Sequence, residues 1–252
     1  MNQMPSPLRL IPIPGLPEVE PGTDLADLIR GAAQAANIEL AGNVIVVCQK
    51  IVSKAEGRLI ALADVSPSDE AIEIAEAHER DPRQVEVVLQ ESRRIVRRGN
   101  GVLITETHHG FVCANAGVDL SNAPGDDVAV LLPKDPDGSA RRLYEALASP
   151  AGPTPVVISD TFGRPWREGL VDVALGSAGL APIRDDRGSR DRAGRELIVT
   201  QPATADQLAA AAGLLMWKSA GVPVVVIEGF PIEGDGTVKD ALLRDPSSDL
   251  FR

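Results

Sequence analysis

The continuous apolar run at residues 43–48 (NVIVVC) constrains the fold of this chain more than any other sequence feature. A short run without polar alternation is typical of a strand that is buried on both faces of a sheet. Further strand candidates are residues 8–12, 128–132, 156–159 and 224–228. Aromatic residues make up only 3% of the chain, so the core must be built from Val, Ile, Leu and Ala.

Helical patterns alternate with these strand candidates. Thr23 or Asp24 can cap a helix that runs to about residue 37, and Pro67 suits the first turn of a helix that reaches about residue 80. Residues 203–216 are rich in Ala and Leu and predict a third helix, and the terminating signal GVP follows at residues 221–223. Residues 102–106 and 111–114 predict a hairpin that turns at residues 108–110. We therefore expect an α/β or α+β protein.

Three polar stretches interrupt this pattern, at residues 133–138, 148–155 and 184–195. The second (ASPAGPTP) is the best candidate for a boundary between two subdomains, and the third is dense in charge and predicts a solvated loop. The chain shows no internal repeat of the solenoid type. We expect one domain over residues 1–252, divided at most into two subdomains near residues 148–155.

The charge balance and the absence of apolar spans exclude several classes of protein. The 25 Lys and Arg residues face 36 Asp and Glu residues, a net charge of −11, which argues against a nucleic-acid partner. No apolar run approaches the roughly 18 residues of a membrane span, and the first residues lack a signal-peptide pattern. Cys48 and Cys113 are far apart and form no metal-like spacing. We expect a cytoplasmic protein without a membrane partner.

The common nucleotide and hydrolase motifs are absent. The sequence contains no G-x-x-x-x-G-K-[ST], no G-x-G-x-x-G after a strand and no G-x-S-x-G. A standard P-loop enzyme, Rossmann enzyme or serine hydrolase is therefore disfavoured.

Two carboxylates follow separate strand candidates. Asp119 lies in AGVDLSN after Gly117, which allows a tight turn, and Asp160 and Thr161 end the run VVIS. Carboxylates at the ends of two buried strands can converge on a hard cation such as Mg²⁺ or Mn²⁺, which can hold a triphosphate. Both aspartates are equally interpretable as turn formers and helix caps, since Asp is common in turns.

Basic residues form local clusters that have both a functional and a structural interpretation. Lys50 and Lys54 follow the strand candidate at residues 43–48 and suit phosphate groups, or are ordinary surface lysines. Arg164 and Arg167 flank Pro165 and Trp166 in a stiff loop that suits anion recognition, or are solvated beside a packed Trp166.

A third basic cluster, RRIVRRG, contains Arg93, Arg94, Arg97 and Arg98. On a helix, residues 93 and 97 share a face and can bind a phosphodiester or a carboxylate. The alternative is pairing with acidic neighbours such as Glu86 and Glu91.

The predicted hairpin tip carries His108 and His109, which point to opposite faces of an extended chain, so a shared metal ion is not expected. Glu106 or His109 can orient a ligand, and a plain hairpin tip is the alternative.

Five motifs occur in an order that resembles one family. They are IPGLPEVEPGTDL, QKIVSKAEGR, ETHHGFVCANAGVDLSN, SDTFGRPWREG and AAAGLLMWKSAGVPVVVIEG, of which GVDLSN and DTFGRPWR are the most specific. From about residue 8 to residue 229 the chain resembles the coenzyme F420-0 gamma-glutamyl ligases, also called coenzyme F420:L-glutamate ligases. The resemblance implies their unusual mixed-sheet α/β fold, an intertwined homodimer, and the stand-alone form without a nitroreductase-like domain.

The resemblance also implies an activity and a set of ligands. The family adds L-glutamate to coenzyme F420-0 with GTP as co-substrate, and then adds further gamma-linked glutamates. The implied ions are Mn²⁺ or Mg²⁺, two per site, with K⁺ as a further candidate.

Site residues carry over from the family one by one. The resemblance implies metal binding by Asp119, Asp160 and Thr161, and catalytic roles for Asp119, Asp160 and Lys54. We add Arg164, Arg167 and His109 as candidate substrate-binding residues. The implied nucleotide contacts are Gly15, Leu16, Pro17, Glu18, Gln49, Lys50, Lys54, Asn122, Met216 and Lys218.

The implied reaction joins the coenzyme's terminal carboxylate to the amino group of glutamate through an acyl phosphate formed from GTP. Two alternatives are the same chemistry on another carboxylate acceptor, and an inactive homologue that binds a nucleotide or a deazaflavin. Trp217 supports the second alternative, because we expect a small residue at its position.

Overall fold

The structure, a computed structural model, describes residues 6–99, 101–120 and 127–250. These residues form a mixed α/β protein, which confirms the predicted fold class. The strands are β1 (Arg9–Pro12), β2 (Val44–Cys48), β3 (Leu59–Ala61), β4 (Ser92–Gly99), β5 (Val102–Thr107), β6 (Val112–Ala114), β7 (Val128–Val130), β8 (Val156–Arg164), β9 (Arg167–Ala178) and β10 (Val224–Glu228). The helices are α1 (Leu25–Ala35), α2 (Gln49–Ala55), α3 (Asp69–His78), α4 (Pro82–Gln90), α5 (Pro136–Ala146), α6 (Thr204–Gly213) and α7 (Val238–Ala241).

The main sheet has the strand order β1-β10-β2-β8-β9. Strands β2 and β8 are parallel, with Cys48 opposite Ser159, and the other neighbours are antiparallel. The run that predicted a doubly buried strand is thus the middle strand of the sheet.

Apolar layers cover both faces of this sheet. Because successive side chains of a strand point to opposite faces, Ile45 and Val47 enter one layer while Val44 and Val46 enter the other. The first layer includes residues of α1 and α5, and the second includes residues of α6. A polar side chain in the middle of β2 would be buried on either face, which explains the unbroken apolar run.

Two smaller sheets lie beside the main one. Strands β3 and β7 pair with each other, and β4, β5 and β6 form a three-stranded sheet that contains the predicted hairpin. A separate apolar cluster joins this sheet to α3 and α4. The segment RRIVRRG is the edge strand β4, so the helical interpretation of this segment is wrong.

Helix ends differ from the predictions in informative ways. Asp24 caps α1 by accepting a hydrogen bond from the Asp27 amide, as predicted. Helix α3 is capped by Ser68, so Pro67 lies before the helix and not in its first turn. Helix α6 ends at Gly213, three residues before the predicted end.

Four of the helices that the structure describes were not predicted: α2, α4, α5 and the four-residue α7. Helix α2 has only seven residues, which is too short for a clear apolar period, and α4 starts at Pro82 in a polar segment. Helix α5 begins inside the stretch interpreted as a polar interruption, where Asp135 caps the helix and Pro136 fills its first position.

The remaining polar stretches connect elements of the main sheet. Residues 148–155 link α5 to β8, and the proposed subdomain boundary there stays a prediction. Residues 184–195 are irregular and largely exposed, with local ion pairs such as Arg184–Asp186 at 2.9 Å. Across the described ranges, no helix combines the length and the apolar character needed to cross a membrane.

Candidate active site

A cavity of about 270 Å³ opens at the carboxyl end of β2, where its parallel pairing with β8 ends at Cys48 and Ser159. Ligands of α/β proteins commonly bind at this position, because loops leave the sheet there and expose polar backbone groups. Its lining comes from distant parts of the chain: Leu16, Pro17, Glu18, Val19, Cys48, Lys50, Ile51, Lys54, Ser159, Asp160, Thr161, Asp172, Met216, Trp217, Lys218, Gly221, Val222 and Pro223.

Helix α2 places two lysines in this cavity. It starts directly at the end of β2, and Lys50 and Lys54 are four residues apart, which puts them on one face of the helix. Lys50 Nζ lies 2.6 Å from Asp119 Oδ2, and the Lys54 ammonium, only 6% exposed, pairs with the Glu18 carboxylate. Burial lowers the pKa of Lys50, but the hydrogen bond and charge of Asp119 more than compensate, so its pKa is raised.

Asp160 is the most perturbed carboxyl group of the cavity. Burial raises its pKa to about 7, and the charges of Asp119 and Asp172 push it in the same direction. The Thr161 amide and the charge of Lys50 lower the pKa of Asp160 only in part. Asp119 and Asp160 are therefore near enough for their charges to interact, and Lys50 contacts the first and acts on the second.

Thr161 and Asp172 extend this group of oxygen atoms. Thr161 Oγ1 donates a hydrogen bond to Asp172 Oδ1 at 2.6 Å, across the antiparallel pair β8–β9. Asp172 was missed in the sequence analysis, since nothing in β9 alone indicates which strand it faces. Cys48 also lines the cavity, but burial raises the pKa of its thiol to about 11, so this cysteine stays protonated at neutral pH.

The oxygen donors suit a hard cation, although the site is not a preformed metal cage. Within the described parts of the chain, no three His, Cys, Asp or Glu side chains are grouped closely enough to hold a metal ion by themselves. Mg²⁺ typically binds through one or two carboxylates and completes its shell with waters and substrate phosphates. Burial, and to a smaller extent the charges of Asp119 and Asp172, raise the pKa of Asp160, and a cation bound beside these carboxylates would favour its ionised form. Asp119, Asp160 and the Thr161 hydroxyl therefore fit a divalent cation bound together with a phosphate ligand.

Two further wall segments contain predicted nucleotide contacts. Leu16, Pro17 and Glu18 belong to the loop after β1, which turns at Gly15, a residue with a φ of +76° outside the lining. Met216 and Lys218 follow the end of α6, with Trp217 between them, 66% exposed.

Several predicted residues lie elsewhere. Gln49 is completely buried beside the cavity, where its Oε1 accepts a hydrogen bond from Ser53 Oγ at 2.8 Å. Arg164 and Arg167 stand at the tip of the β8–β9 hairpin, where the Arg164 guanidinium binds the backbone carbonyls of Glu168 and Gly169. The expected stiff loop after Asp160 is thus the far end of a long hairpin. Asn122 lies outside the described residues.

His109 lines a second cavity of about 300 Å³ beside α5. Its Nε2 lies 2.8 Å from the carbonyl oxygen of Pro133, and burial lowers its pKa. His109 is therefore separate from the lining of the first cavity.

The arginines of β4 are engaged with other carboxylates than those expected. Arg93 and Arg94 both bind the buried Glu106, and Arg98 binds Glu70. These contacts favour the structural interpretation of the cluster, with Glu106 and Glu70 in place of Glu86 and Glu91.

Comparisons with known proteins identify the family of this chain. A family model described as F420-0:gamma-glutamyl ligase matches residues 15–229. A protein of Methanothermobacter thermautotrophicus named coenzyme F420:L-glutamate ligase is 49% identical over 251 residues, covering 97% of this chain and 99% of the relative.

Two further relatives carry the same name. The protein of Methanopyrus kandleri is 46% identical over the whole of both chains, and that of Methanocaldococcus jannaschii is 42% identical over 84% of this chain and 85% of the relative. The chain therefore belongs to the F420-0:gamma-glutamyl ligase family.

Proposed function

We propose that this protein is a GTP- and metal-dependent ligase that joins L-glutamate to coenzyme F420-0 and then adds further gamma-linked glutamates. One observation carries the proposal: Lys50, Lys54 and Asp160 line one cavity where the parallel pairing of β2 and β8 ends, and the Asp119 carboxylate binds Lys50 beside it. The names of the relatives supply the acceptor and the amino acid, because each is called a coenzyme F420:L-glutamate ligase.

The charges of the cavity suit a nucleoside triphosphate with divalent cations. The ammonium groups of the partly buried Lys50 and the buried Lys54 can bind phosphate oxygens, and a carboxylate pair can bind the cation that accompanies a triphosphate. When bound, Mg²⁺ or Mn²⁺ would neutralise the negative charge that crowds between the γ-phosphate and an attacking carboxylate. Asp119, Asp160 and Thr161 are the residues that would hold it, and K⁺ remains a candidate for a further ion.

The proposed reaction has two steps. A carboxylate oxygen of the coenzyme attacks the γ-phosphorus of GTP, the bond between this phosphorus and the bridging oxygen breaks, and GDP leaves. The amino group of glutamate, after losing a proton, then attacks the acyl phosphate, an amide bond forms and inorganic phosphate leaves. Phosphorylation is required because the oxide of a free carboxylate is a very poor leaving group.

The residues of this chain would act by positioning and by electrostatic stabilisation. Lys50 and Lys54 would hold phosphate oxygens, and residues 15–18 and 216–218 would enclose the nucleotide. Arg164 and Arg167 lie on the hairpin tip, outside the cavity of their own chain. In a homodimer they would bind substrate at the cavity of the second copy.

The decisive experiment is mass spectrometry of the product formed from coenzyme F420-0, GTP, Mn²⁺ and L-glutamate. We expect the coenzyme mass to increase by one or more glutamyl residues, with GDP release that requires both the acceptor and glutamate. GDP release with another carboxylate acceptor only would identify a different substrate, and ligand binding without any product would identify an inactive homologue.

Variants connect this activity to the site. Asp119→Asn and Asp160→Asn should fold and lose activity, whereas Asp64→Asn, at an exposed aspartate outside the cavity lining, should retain it. Full activity of both Asp119→Asn and Asp160→Asn would contradict the proposed metal site.

A further inference from the structure

A contact chain connects Thr161 to the end of helix α6 through Asp172. On one side, Thr161 Oγ1 donates its hydrogen bond to Asp172 Oδ1 at 2.6 Å. On the other side, the carboxylate of Asp172 packs against Gly213, the last residue of α6. The segment with Met216 and Lys218 follows this glycine, so the chain of contacts joins two walls of the cavity.

A β-bulge creates the first contact. The register between β8 and β9 shifts by one residue between Ile158 and Ser159, and beyond this shift Thr161 lies opposite Asp172. Without the extra residue in β9, Val173 would be opposite Thr161. Bulges next to active sites commonly re-aim a side chain in this way.

The hydrogen bond restricts what the Thr161 hydroxyl can offer to a ligand. A hydroxyl group has one proton and two acceptor lone pairs, and a carboxylate can only accept. Because the proton is committed to Asp172, the oxygen of Thr161 has only lone pairs left for the cavity. It is therefore prepared to bind a cation and not to donate to a phosphate oxygen.

The second contact leaves no room for a side chain at position 213. A Cβ atom there would lie 2.2 Å from Asp172 Oδ2 and 2.8 Å from its Cγ, well inside van der Waals contact. The short side chain of Asp172 could escape only by rotating away from Thr161. Helix α1 offers a matched glycine, Gly31, where a Cβ would meet nothing within 4 Å.

We propose that Asp172 is a positioning residue for the ligase reaction, which directs the oxygen lone pairs of Thr161 toward the bound cation, and that Gly213 keeps Asp172 in place. This inference rests on the proposed metal-dependent function. Substitution of a residue that positions a metal ligand commonly lowers metal affinity or activity by about 10- to 100-fold.

The test compares four variants: Asp172→Ala, Asp172→Asn, Gly213→Ala and the double variant Asp172→Ala/Gly213→Ala. Two quantities are measured. The first is the Mn²⁺ dissociation constant in the presence of a non-hydrolysable GTP analogue, determined from the electron spin resonance signal of free Mn²⁺. The second is kcat. We expect Asp172→Ala and Gly213→Ala each to raise the Mn²⁺ dissociation constant and to lower kcat, by about 10- to 100-fold. Asp172→Asn should recover most of the loss, because its amide oxygen still accepts the Thr161 hydrogen bond.

The double variant separates positioning from general damage. Once Asp172 is alanine, the clash with position 213 is gone, so adding Gly213→Ala should cause little further loss. The control Gly31→Ala should behave as the wild type.

Three results would overturn the inference while leaving the ligase function intact: a Gly213→Ala variant with wild-type Mn²⁺ binding, an Asp172→Asn variant as poor as Asp172→Ala, or additive losses in the double variant. A wild-type protein that neither binds Mn²⁺ nor forms product would instead overturn the proposed function and this inference with it.

Discussion

Asp160 is held in an environment that disfavours its own charge. Burial and two neighbouring carboxylates raise its pKa to about 7, above the ordinary value of 3.8 for an Asp carboxyl group. A raised pKa means that the folded state keeps a proton that the unfolded state releases. The stability contributed by this group is therefore complete below pH 3.8 and is lost as the pH rises through about 7.

The substitution Asp160→Asn tests how much the ionised Asp160 carboxylate destabilises the folded state. In the absence of divalent cations, the variant should be more stable than the wild type near pH 8 by about 1 to 2 kcal/mol, and the difference should shrink near pH 5. The measurement is urea-induced unfolding with a chelator at both pH values. Asp64→Asn serves as the control and should show no such pH dependence. An equal stability of wild type and Asp160→Asn at both pH values would show that the cavity does not penalise the carboxylate.

At the scale of elements, the β8–β9 hairpin is longer than the sheet requires. Its distal half, near the turn at Trp166, is largely exposed, and the side chains of Trp166 and Leu170 are 82% and 68% exposed. Large apolar side chains on a projecting hairpin are typical of an interaction surface. This feature supports the homodimer that the family resemblance predicts, and the hairpin is the element that we expect to contact the second copy.

The double substitution Trp166→Ser/Leu170→Ser should therefore weaken the dimer. We expect the sedimentation coefficient at low micromolar concentration to shift toward that of a monomer, because the apolar area buried between the copies decreases. The control is Ile72→Ser, which removes an exposed apolar side chain from α3. A wild-type protein that sediments as a monomer, or a double variant with an unchanged dimer, would contradict this role of the hairpin.

At the scale of the whole molecule, the main sheet is stabilised by apolar layers on both faces. Ile45 of β2 is completely buried in the apolar layer that also contains residues of α1 and α5. Ile45→Ala should lower the free energy of unfolding by about 2 to 4 kcal/mol, because it removes buried apolar surface and leaves a cavity. Chemical denaturation measures this change, and Leu250→Ala, at a side chain that is 85% exposed, should have almost no effect. If Ile45→Ala lowered the free energy of unfolding only slightly, the apolar layer would have to collapse into the space left by the missing atoms.

Ligands should stabilise the whole molecule, since the cavity is lined by segments that span residues 16–223. A ligand that binds only the folded state at 100 times its dissociation constant adds about 2.7 kcal/mol to stability. We expect a non-hydrolysable GTP analogue with Mn²⁺ to raise the melting temperature more than either alone, as measured by differential scanning calorimetry. The same ligands should stabilise Asp160→Asn less than the wild type. Equal effects of the analogue with and without Mn²⁺ would argue against a shared site.

The amino-acid sequence by itself determined the elements whose signal is local. The run NVIVVC predicted the middle strand β2, because a strand that is covered on both faces has no polar side to display. Asp24 predicted the start of α1, because its side chain bonds an amide three residues away. Order-specific motifs identified the family, and its model matches residues 15–229.

Only the tertiary structure decided how these elements make a site. The parallel pairing of β2 and β8 brings Lys50 beside Asp160, and no local pattern in either strand specifies its partner. The bulge in β9 places Asp172 opposite Thr161, which depends on a shift of one residue in the register. Arg164 and Arg167 were expected beside Asp160, but the strand continues past it and carries them to the hairpin tip. Local propensities act over a few residues, whereas the cavity depends on strand order and register, which the packing of distant segments sets.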